Sequence, residues 1–235
     1  MTPSKEQIGG MFDGIAPQYD RLNHILSFGA DRSWRKRSVS AVVCPDRPQR
    51  ILDLACGTGD LSLAIAGSMH PESRITAVDI SQGMLEVMKR KLLKNNLQEK
   101  VTVINSDVCS LPFQDGSFSC AAIAFGIRNV ADSGAALREI LRVLESGGKL
   151  AVLELSLPQG RFLRWLYTAA FRVAAPLIGG LISGHREAYK YLPRSISEFP
   201  GKEQWMAFMR QCGYTGVTHK AFSFGVCRLY VAQKP

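Results

Sequence analysis

The stretch Leu52-Asp-Leu-Ala-Cys-Gly-Thr-Gly-Asp60 decides how this chain reads. It completes a short apolar run, Arg50-Ile-Leu-Asp-Leu54, and opens an amphipathic stretch that begins near Asp60. An apolar run, then paired glycines, then a helical pattern marks a buried strand that turns tightly into a helix. Gly57 and Gly59 let backbone come close to a ligand where a Cβ would clash. In open α/β sheets, ligands bind beyond the carboxyl ends of the strands, where this loop falls.

Outward from that loop, short β-like runs alternate with helical ones. Ile75–Val78 reads as a second strand, and Ser81 as the cap of a helix carrying Met84, Met88 and Leu92 at four-residue spacing. Further strands are expected near Val101–Ile104 and Cys120–Phe125. Leu137, Ile140, Leu141 and Leu144 fall on one helical face, with Ser146-Gly147-Gly148 as the stop and Leu150–Leu155 as a fifth strand. The last two runs, Val217–Phe222 and Cys227–Val231, are joined by a turn at Gly225 short enough to demand an antiparallel hairpin. The pattern predicts an α/β, Rossmann-like, mostly parallel seven-stranded sheet with one antiparallel strand and helices on both faces. Residues 1–235 read as a single domain, with 1–45 an N-terminal helical cap and 157–200 a helical insertion or lid.

Asp79 ends the second strand about twenty residues beyond the glycines, where a carboxylate accepts from both hydroxyls of a ribose. Asn105-Ser-Asp107 ends the third, where a polar side chain reaches the amine of an adenine. The dinucleotide fingerprint fails, because Ser62 stands where its third glycine would be. Asp60 also puts a carboxylate at the helix start, where it would repel a pyrophosphate. S-adenosylmethionine (SAM) carries a sulfonium and an ammonium and no phosphate, so Asp53 and Asp60 suit it better than a nicotinamide dinucleotide.

The chain has 235 residues and a formal net charge of +9, which points to an anionic partner: nucleic acid, acidic lipid or a phosphorylated substrate. The six cysteines form no CxxC pair and the four histidines are scattered, so no metal is expected. Reduced thiols in apolar runs fit a cytoplasmic compartment. The N-terminal stretch lacks the apolar core of a signal peptide. Residues 162–182 are apolar but broken by Arg164, Arg172, Pro176 and Gly179-Gly180, which argues against a spanning helix.

LDLACGTGD followed by VDIS resembles the first two motifs of class I SAM-dependent methyltransferases, with Ala55 in place of one more glycine. More specific pieces resemble the ubiquinone/menaquinone biosynthesis C-methyltransferase family along nearly the whole chain. These are Met11-Phe-Asp13, Tyr19-Asp20, Trp34-Arg35, Phe125-Gly-Ile-Arg-Asn-Val130 and Ala188-Tyr-Lys-Tyr-Leu-Pro193. The resemblance implies methyl transfer from SAM to a ring carbon of a polyprenylated quinol, with Thr58, Asp79, Asp107 and Val108 lining the SAM site beside Asp53, Gly57 and Gly59. Members that make ubiquinone often carry serine just before the FGxRN motif. Ala124 stands here, which leans toward demethylmenaquinol as substrate, with the ubiquinone precursor as the alternative.

Such a reaction needs the carbon in line with the methyl group and a path for protons. Arg128 favours an ionised quinol oxygen, Asn129 orients the hydroxyl, and Tyr19 packs on the ring or relays a proton. His24 and His185 are candidate bases. The apolar belt 161–182, with arginines among it, reads equally as a helix in the membrane interface, a wall for the prenyl tail or a helix packed on the sheet. A cytoplasmic protein docking transiently on the inner face of the membrane is expected, and a homodimer is left open. An RNA methyltransferase and a non-catalytic nucleoside- or lipid-binding protein are the rivals. Lack of a separate basic, aromatic-rich module speaks against nucleic acid.

Overall fold

The structure is a computed structural model that describes residues 5–158, 160, 164–165, 168–169 and 186–235. Seven strands form one sheet: β1 (Arg50–Leu54), β2 (Arg74–Asp79), β3 (Val101–Asn105), β4 (Phe118–Ala124), β5 (Leu144–Leu155), β6 (Thr215–Phe222) and β7 (Cys227–Gln233). Their spatial order is β3-β2-β1-β4-β5-β7-β6. All neighbours up to β5 run parallel, while β7 pairs antiparallel with both β5 and β6. So β7 alone is reversed, as the short turn at Gly225 demanded.

Three helices precede the sheet: α1 (Lys5–Ile15), α2 (Tyr19–Leu26) and α3 (Ala30–Val42). Between the strands come α4 (Asp60–Ala66), α5 (Gln82–Lys94) and α6 (Ser133–Val143), and before the final hairpin α7 (Arg186–Glu198) and α8 (Lys202–Gln211). Ser81 caps α5 by accepting from the Met84 N–H at 3.2 Å, and Asp132 caps α6 by accepting from Ala135 at 2.8 Å. Each cap is worth about 1 kcal/mol.

The sheet is buried on both faces. Leu137, Ile140 and Val143 of α6 join Trp205 and Met209 of α8 on one side. Val39 of α3, Ile65 of α4, and Leu85, Met88 and Leu92 of α5 cover the other. Each such side chain stabilises the fold by about 1.5–3 kcal/mol.

One boundary departs from expectation. Helix α6 ends at Val143, and Leu144 begins β5 instead of extending the helical face. Leu144 is fully buried and pairs with Phe118, whereas the next pair is Cys120 with Lys149. The Ser146-Gly147-Gly148 turn is absorbed as an irregularity inside the strand, with Gly147 at φ +78°. The belt 161–182 and His185 lie almost wholly outside the described residues, as does much of 157–200.

This order sets up the site. From β1 the chain steps outward to β2 and β3, then returns to place β4 on the other side of β1. The loops after β1 and β4 therefore diverge from one crevice, where ligands bind in such sheets.

Candidate active site

Two cavities open at this crevice. The first is lined by Ala55 and Gly57 after β1, Asp79 and Ile80 after β2, and Ser106 to Cys109 after β3. Gly126, Asn129 and Val130 after β4 complete it, with Ile8, Phe12 and Tyr19 of the N-terminal segment as a cover. Asp79 organises the rim. Its Oδ2 accepts from the Gly57 N–H and its Oδ1 from the Ser81 N–H, both at 2.8 Å. Burial pushes the Asp79 carboxyl above the usual range, against the pull of those backbone donors.

The glycine loop is compact for steric reasons. Gly59 has φ +88°, and a Cβ there would lie 2.7 Å from Met88 Cγ. Ala55 adopts φ +47° although it is not glycine, and its methyl occupies space that Gly126 leaves free. Asp107 and Val108 line the same cavity, and the Asp107 carboxylate accepts from the Cys109 N–H at 2.9 Å. Asn129 donates to the Phe125 carbonyl at 3.4 Å, and its Oδ1 is buried with no hydrogen-bond partner among the described residues.

Asp53 and Thr58 stand behind this wall. Asp53 is fully buried, accepts from Ser62 Oγ at 2.5 Å and keeps an unpartnered Oδ1. Burial pushes its carboxyl up to about 7, with Ser62 pulling down and the Asp79 charge adding to the rise. The Thr58 hydroxyl donates to Asp20 at 2.5 Å and accepts from Lys91 at 3.3 Å. Asp60 is not a free anion for a cationic ligand, which corrects that part of the sequence reading. Lys91 lies 2.6 Å away, and Arg35 and His24 sit at 3.8 and 3.9 Å. Asp31, Asp60 and His24 come together closely enough to suggest a cation site, but the Arg35 guanidinium already bonds Asp31.

The second cavity, of about 460 Å³, is mainly apolar. Leu26, Phe28, Trp34, Leu155, Phe224 and Val226 contribute most of its wall, with Asp31, Arg35 and Arg128 as its charged members. Phe125 is held edge-on by Trp34 at 6.3 Å and covered by the Arg35 guanidinium at 5.2 Å. Arg128 does not stand alone. It pairs with Glu154 at 2.5 Å, donates to the Phe125 carbonyl at 2.6 Å, and lies 3.4 Å from Ser195 Oγ. Burial works against the Arg128 cation, but Glu154, with Tyr19 and Tyr191, outweighs it, and the Arg128 pKa rises.

Tyr19 and Phe125 line both cavities and so form their common wall. Burial raises the Tyr19 pKa, while Arg128 and a hydrogen bond with Asn23 pull the other way.

The model of the ubiE/COQ5 methyltransferase family matches residues 1–234. The chain belongs to the ubiE/COQ5 methyltransferase family. Similar family members include the demethylmenaquinone methyltransferase of Thermus thermophilus, 42% identical over 96% of this chain and 100% of the relative. That of Bacteroides fragilis is 41% identical over 97% and 93%. The ubiquinone/menaquinone biosynthesis C-methyltransferase UbiE of Geobacter sulfurreducens is 40% identical over 100% and 91%. Among solved structures, a SAM-dependent methyltransferase from Thermotoga maritima superposes with a TM-score of 0.68 at 19% identity, covering 97% of this chain and 100% of its own. That likeness concerns the fold.

In this family member the two cavities gather Tyr19, Gly57, Asp79, Asp107, Val108, Arg128 and Asn129, whereas Asp53, Thr58 and Gly59 support the loop from behind. Contacts that sequence reasoning missed also matter. Asp13 accepts from Ser81 Oγ at 2.6 Å and from the Gly83 N–H at 2.8 Å, tying α1 to the start of α5. Asp20 pairs with Lys91 at 2.6 Å. Glu154 was a visible signal, because a lone carboxylate inside the apolar strand Leu150–Leu155 needs a buried partner.

Proposed function

We propose that this chain transfers the methyl group of SAM to a ring carbon of a polyprenylated quinol, converting demethylmenaquinol to menaquinol. The observation that carries this reading is the shared wall: a cavity rimmed by Asp79, Asp107 and Asn129 and a larger, mainly apolar cavity meet at Tyr19 and Phe125. Methyl transfer needs two substrates to meet at one point without mixing their binding sites.

The first cavity suits SAM. Asp79 takes the ribose hydroxyls, Asp107 and Val108 receive the adenine, and the Gly57 to Gly59 loop lets the chain approach closely. The orphaned Oδ1 of Asn129 is an acceptor for the donor's ammonium or for a quinol hydroxyl. Asp53 and Asp79 together make that end of the crevice favourable for positive charge. SAM supplies an electrophilic methyl group.

The quinol ring takes the second cavity, with its tail along Leu26, Trp34, Leu155 and Val226. A quinol hydroxyl gives up its proton, and the oxyanion pushes electron density to the adjacent ring carbon. That carbon forms the new C–C bond as the methyl–sulfur bond breaks, then loses its own proton to restore aromaticity. Arg128 lies beside this step but is neutralised by Glu154, so it acts as one end of a fixed dipole and not as an isolated cation. Tyr19 separates the two substrates and is in reach of the developing charge. No covalent intermediate with the protein is needed.

The apolar lining speaks against RNA, which would ask for a basic groove. Ala124 before the FGIRN segment favours the menaquinone branch. On this reading residues 1–235 act as one domain, and the protein visits the membrane surface peripherally. No helix among the described residues is long and apolar enough to cross a membrane.

The test is label transfer from methyl-labelled SAM to a short-tailed demethylmenaquinol kept reduced, with Tyr19→Phe and Arg128→Lys alongside. Label in the quinone fraction, reduced in both variants, supports the function and the site. SAM binding without label in quinone from any precursor sinks it.

A further inference from the structure

Phe28 and Phe224 are the two most exposed large apolar side chains among the described residues, at 98% and 85%. Both stand in the left-handed region, with φ +51° and +56°. Phe28 sits on the turn between α2 and α3, and Phe224 on the turn between β6 and β7. The two turns are far apart in sequence, yet both rings line the rim of the apolar cavity.

Neither ring is explained by the fold. A left-handed backbone is unfavourable for a side chain of this size, and glycine or asparagine adopts it more readily. Leaving a phenyl ring in water forgoes its burial. Two independent penalties therefore fall on each residue with no burial among the described residues in return, and strained outliers of this kind cluster at active sites and ligand clamps. The turns are also well fixed. Gly29 N–H donates to the His24 carbonyl at 2.7 Å, Val226 N–H to Ser223 at 3.1 Å, and Ser156 Oγ to the Gly225 carbonyl at 2.5 Å. The rings are held outward on stiff supports.

The exposed charge on the adjoining helix α3 has one sign. Helix α3 starts just after Phe28 and turns Trp34 and Arg35 to the cavity, which leaves Arg32, Lys36 and Arg37 exposed on its outer face. Arg37 also covers the ring of Phe222 at 5.7 Å, two residues before Phe224. Aromatic tips at a cavity mouth, flanked by cations, match the interface of a bilayer bearing anionic headgroups: rings enter the acyl boundary and guanidinium and ammonium groups meet phosphate.

We infer that the rim carrying Phe28 and Phe224, with Arg32, Lys36 and Arg37 beside it, is a docking surface for an anionic lipid bilayer. It sets the cavity mouth against the membrane, so that a lipid-borne quinol enters head first while the far part of its tail stays in hydrocarbon. This rests on the quinol reading above, which it deepens by naming the surface and its partner.

The experiment is flotation of the full chain with vesicles of phosphatidylcholine alone or with added phosphatidylglycerol, without any quinol present. Phe28→Asn with Phe224→Asn tests the rings, because asparagine tolerates the left-handed turn. Arg32→Gln, Lys36→Gln and Arg37→Gln together test the charge. Wild type should float with the anionic vesicles, the double asparagine variant should bind about a hundredfold more weakly, and its melting temperature should be no lower than wild type. The glutamine variant should bind anionic vesicles more weakly and lose its salt sensitivity. No flotation of wild type overturns the inference, as does equal flotation of the asparagine variant or a fall in its melting temperature. Concentration-dependent self-association abolished by the asparagine pair, without vesicle binding, also overturns it in favour of a second copy. Methylation of a short-tailed quinol in detergent-free buffer keeps the readings apart, since wild type can pass that assay and still fail to float.

Discussion

The Arg128 guanidinium and the Glu154 carboxylate form an ion pair at 2.5 Å, with Glu154 wholly removed from solvent. The pair joins the loop after β4 to the end of β5, and Glu154 also accepts from the Arg128 backbone N–H at 3.2 Å. Removal of either partner leaves the other as an uncompensated buried charge.

Arg128→Ala and Glu154→Ala should therefore each cost about 3–5 kcal/mol of stability. Loss of methyl transfer in either single variant would say little about catalysis. Arg128→Leu combined with Glu154→Leu should recover most of that stability while methyl transfer stays low. Denaturant melts of all three with parallel label assays check this. Recovery of activity in the double variant would remove Arg128 from the chemistry.

Asp79→Asn exchanges a carboxylate that accepts two backbone N–H bonds for an amide that accepts only one. A hydrogen bond to a charged group is worth about 1.5–3 kcal/mol, so SAM should bind about ten- to a hundredfold more weakly. The KM for the quinol should be little changed, because Asp79 faces only the first cavity. Calorimetric titration with SAM, beside quinol saturation curves, separates the two. Equal losses for both substrates would mean that the whole crevice has collapsed.

Ala55 and Gly126 form a second coupled pair. A Cβ on Gly126 would lie 2.5 Å from the Ala55 Cβ. Gly126 has φ −109°, so its need for glycine is steric and not conformational. Gly126→Ala should cost about 1–3 kcal/mol through overpacking. Ala55→Gly should be close to neutral, since relief of the left-handed backbone is offset by chain entropy. The double variant should recover most of the Gly126→Ala loss, read as a coupling energy from thermal melts. Simple additivity would show that the methyl groups do not share that space.

How much of this was legible in the sequence follows from the range of each signal. The Leu52–Asp60 loop, the place of Asp79 at the end of β2 and the α5 face of Met84, Met88 and Leu92 are written in local spacing, and the structure puts them where that spacing says. The short turn at Gly225 likewise implied the reversed strand. What local spacing does not carry is which distant charge meets which. Asp60 read as an anion for a cationic ligand, yet Lys91, 31 residues on, takes it. Arg128 read as a cation for the quinol oxygen, and nothing local pointed to its partner, which lies 26 residues away on another strand. The end of α6 was misjudged because Leu144 fits the helical face equally well, and only its pairing with Phe118 draws it into β5.

Asp53 gives the protein a pH dependence with a definite sign. Its carboxyl rises from an ordinary 3.8 to about 7 in the fold, through burial, with Ser62 opposing and Asp79 adding to the rise. An acid with a raised folded-state pKa contributes stability that is complete below 3.8 and is lost as pH climbs to about 7. At about 1.36 kcal/mol per pH unit the span amounts to about 4 kcal/mol. Asp31 is shifted the other way: burial raises it, but Ser27, Arg35 and His24 together bring it below the usual range, so its stabilisation fades only under more acid conditions. Between pH 5 and 7 stability should fall as pH rises, with the raised Asp79 acting in the same direction, His219, held below its ordinary value by burial, opposing, and Asp53→Asn giving a flatter profile. A cationic ligand in the adjoining cavity favours the ionised forms of Asp53 and Asp79, so SAM should bind more tightly at pH 8 than at pH 6 and release protons as it binds. Titration calorimetry in buffers of different ionisation enthalpy measures that release directly. Proton uptake, or a wild-type stability profile that rises between pH 5 and 7 and is unchanged by Asp53→Asn, would mean that Asp53 is ionised throughout and held by contacts other than Ser62.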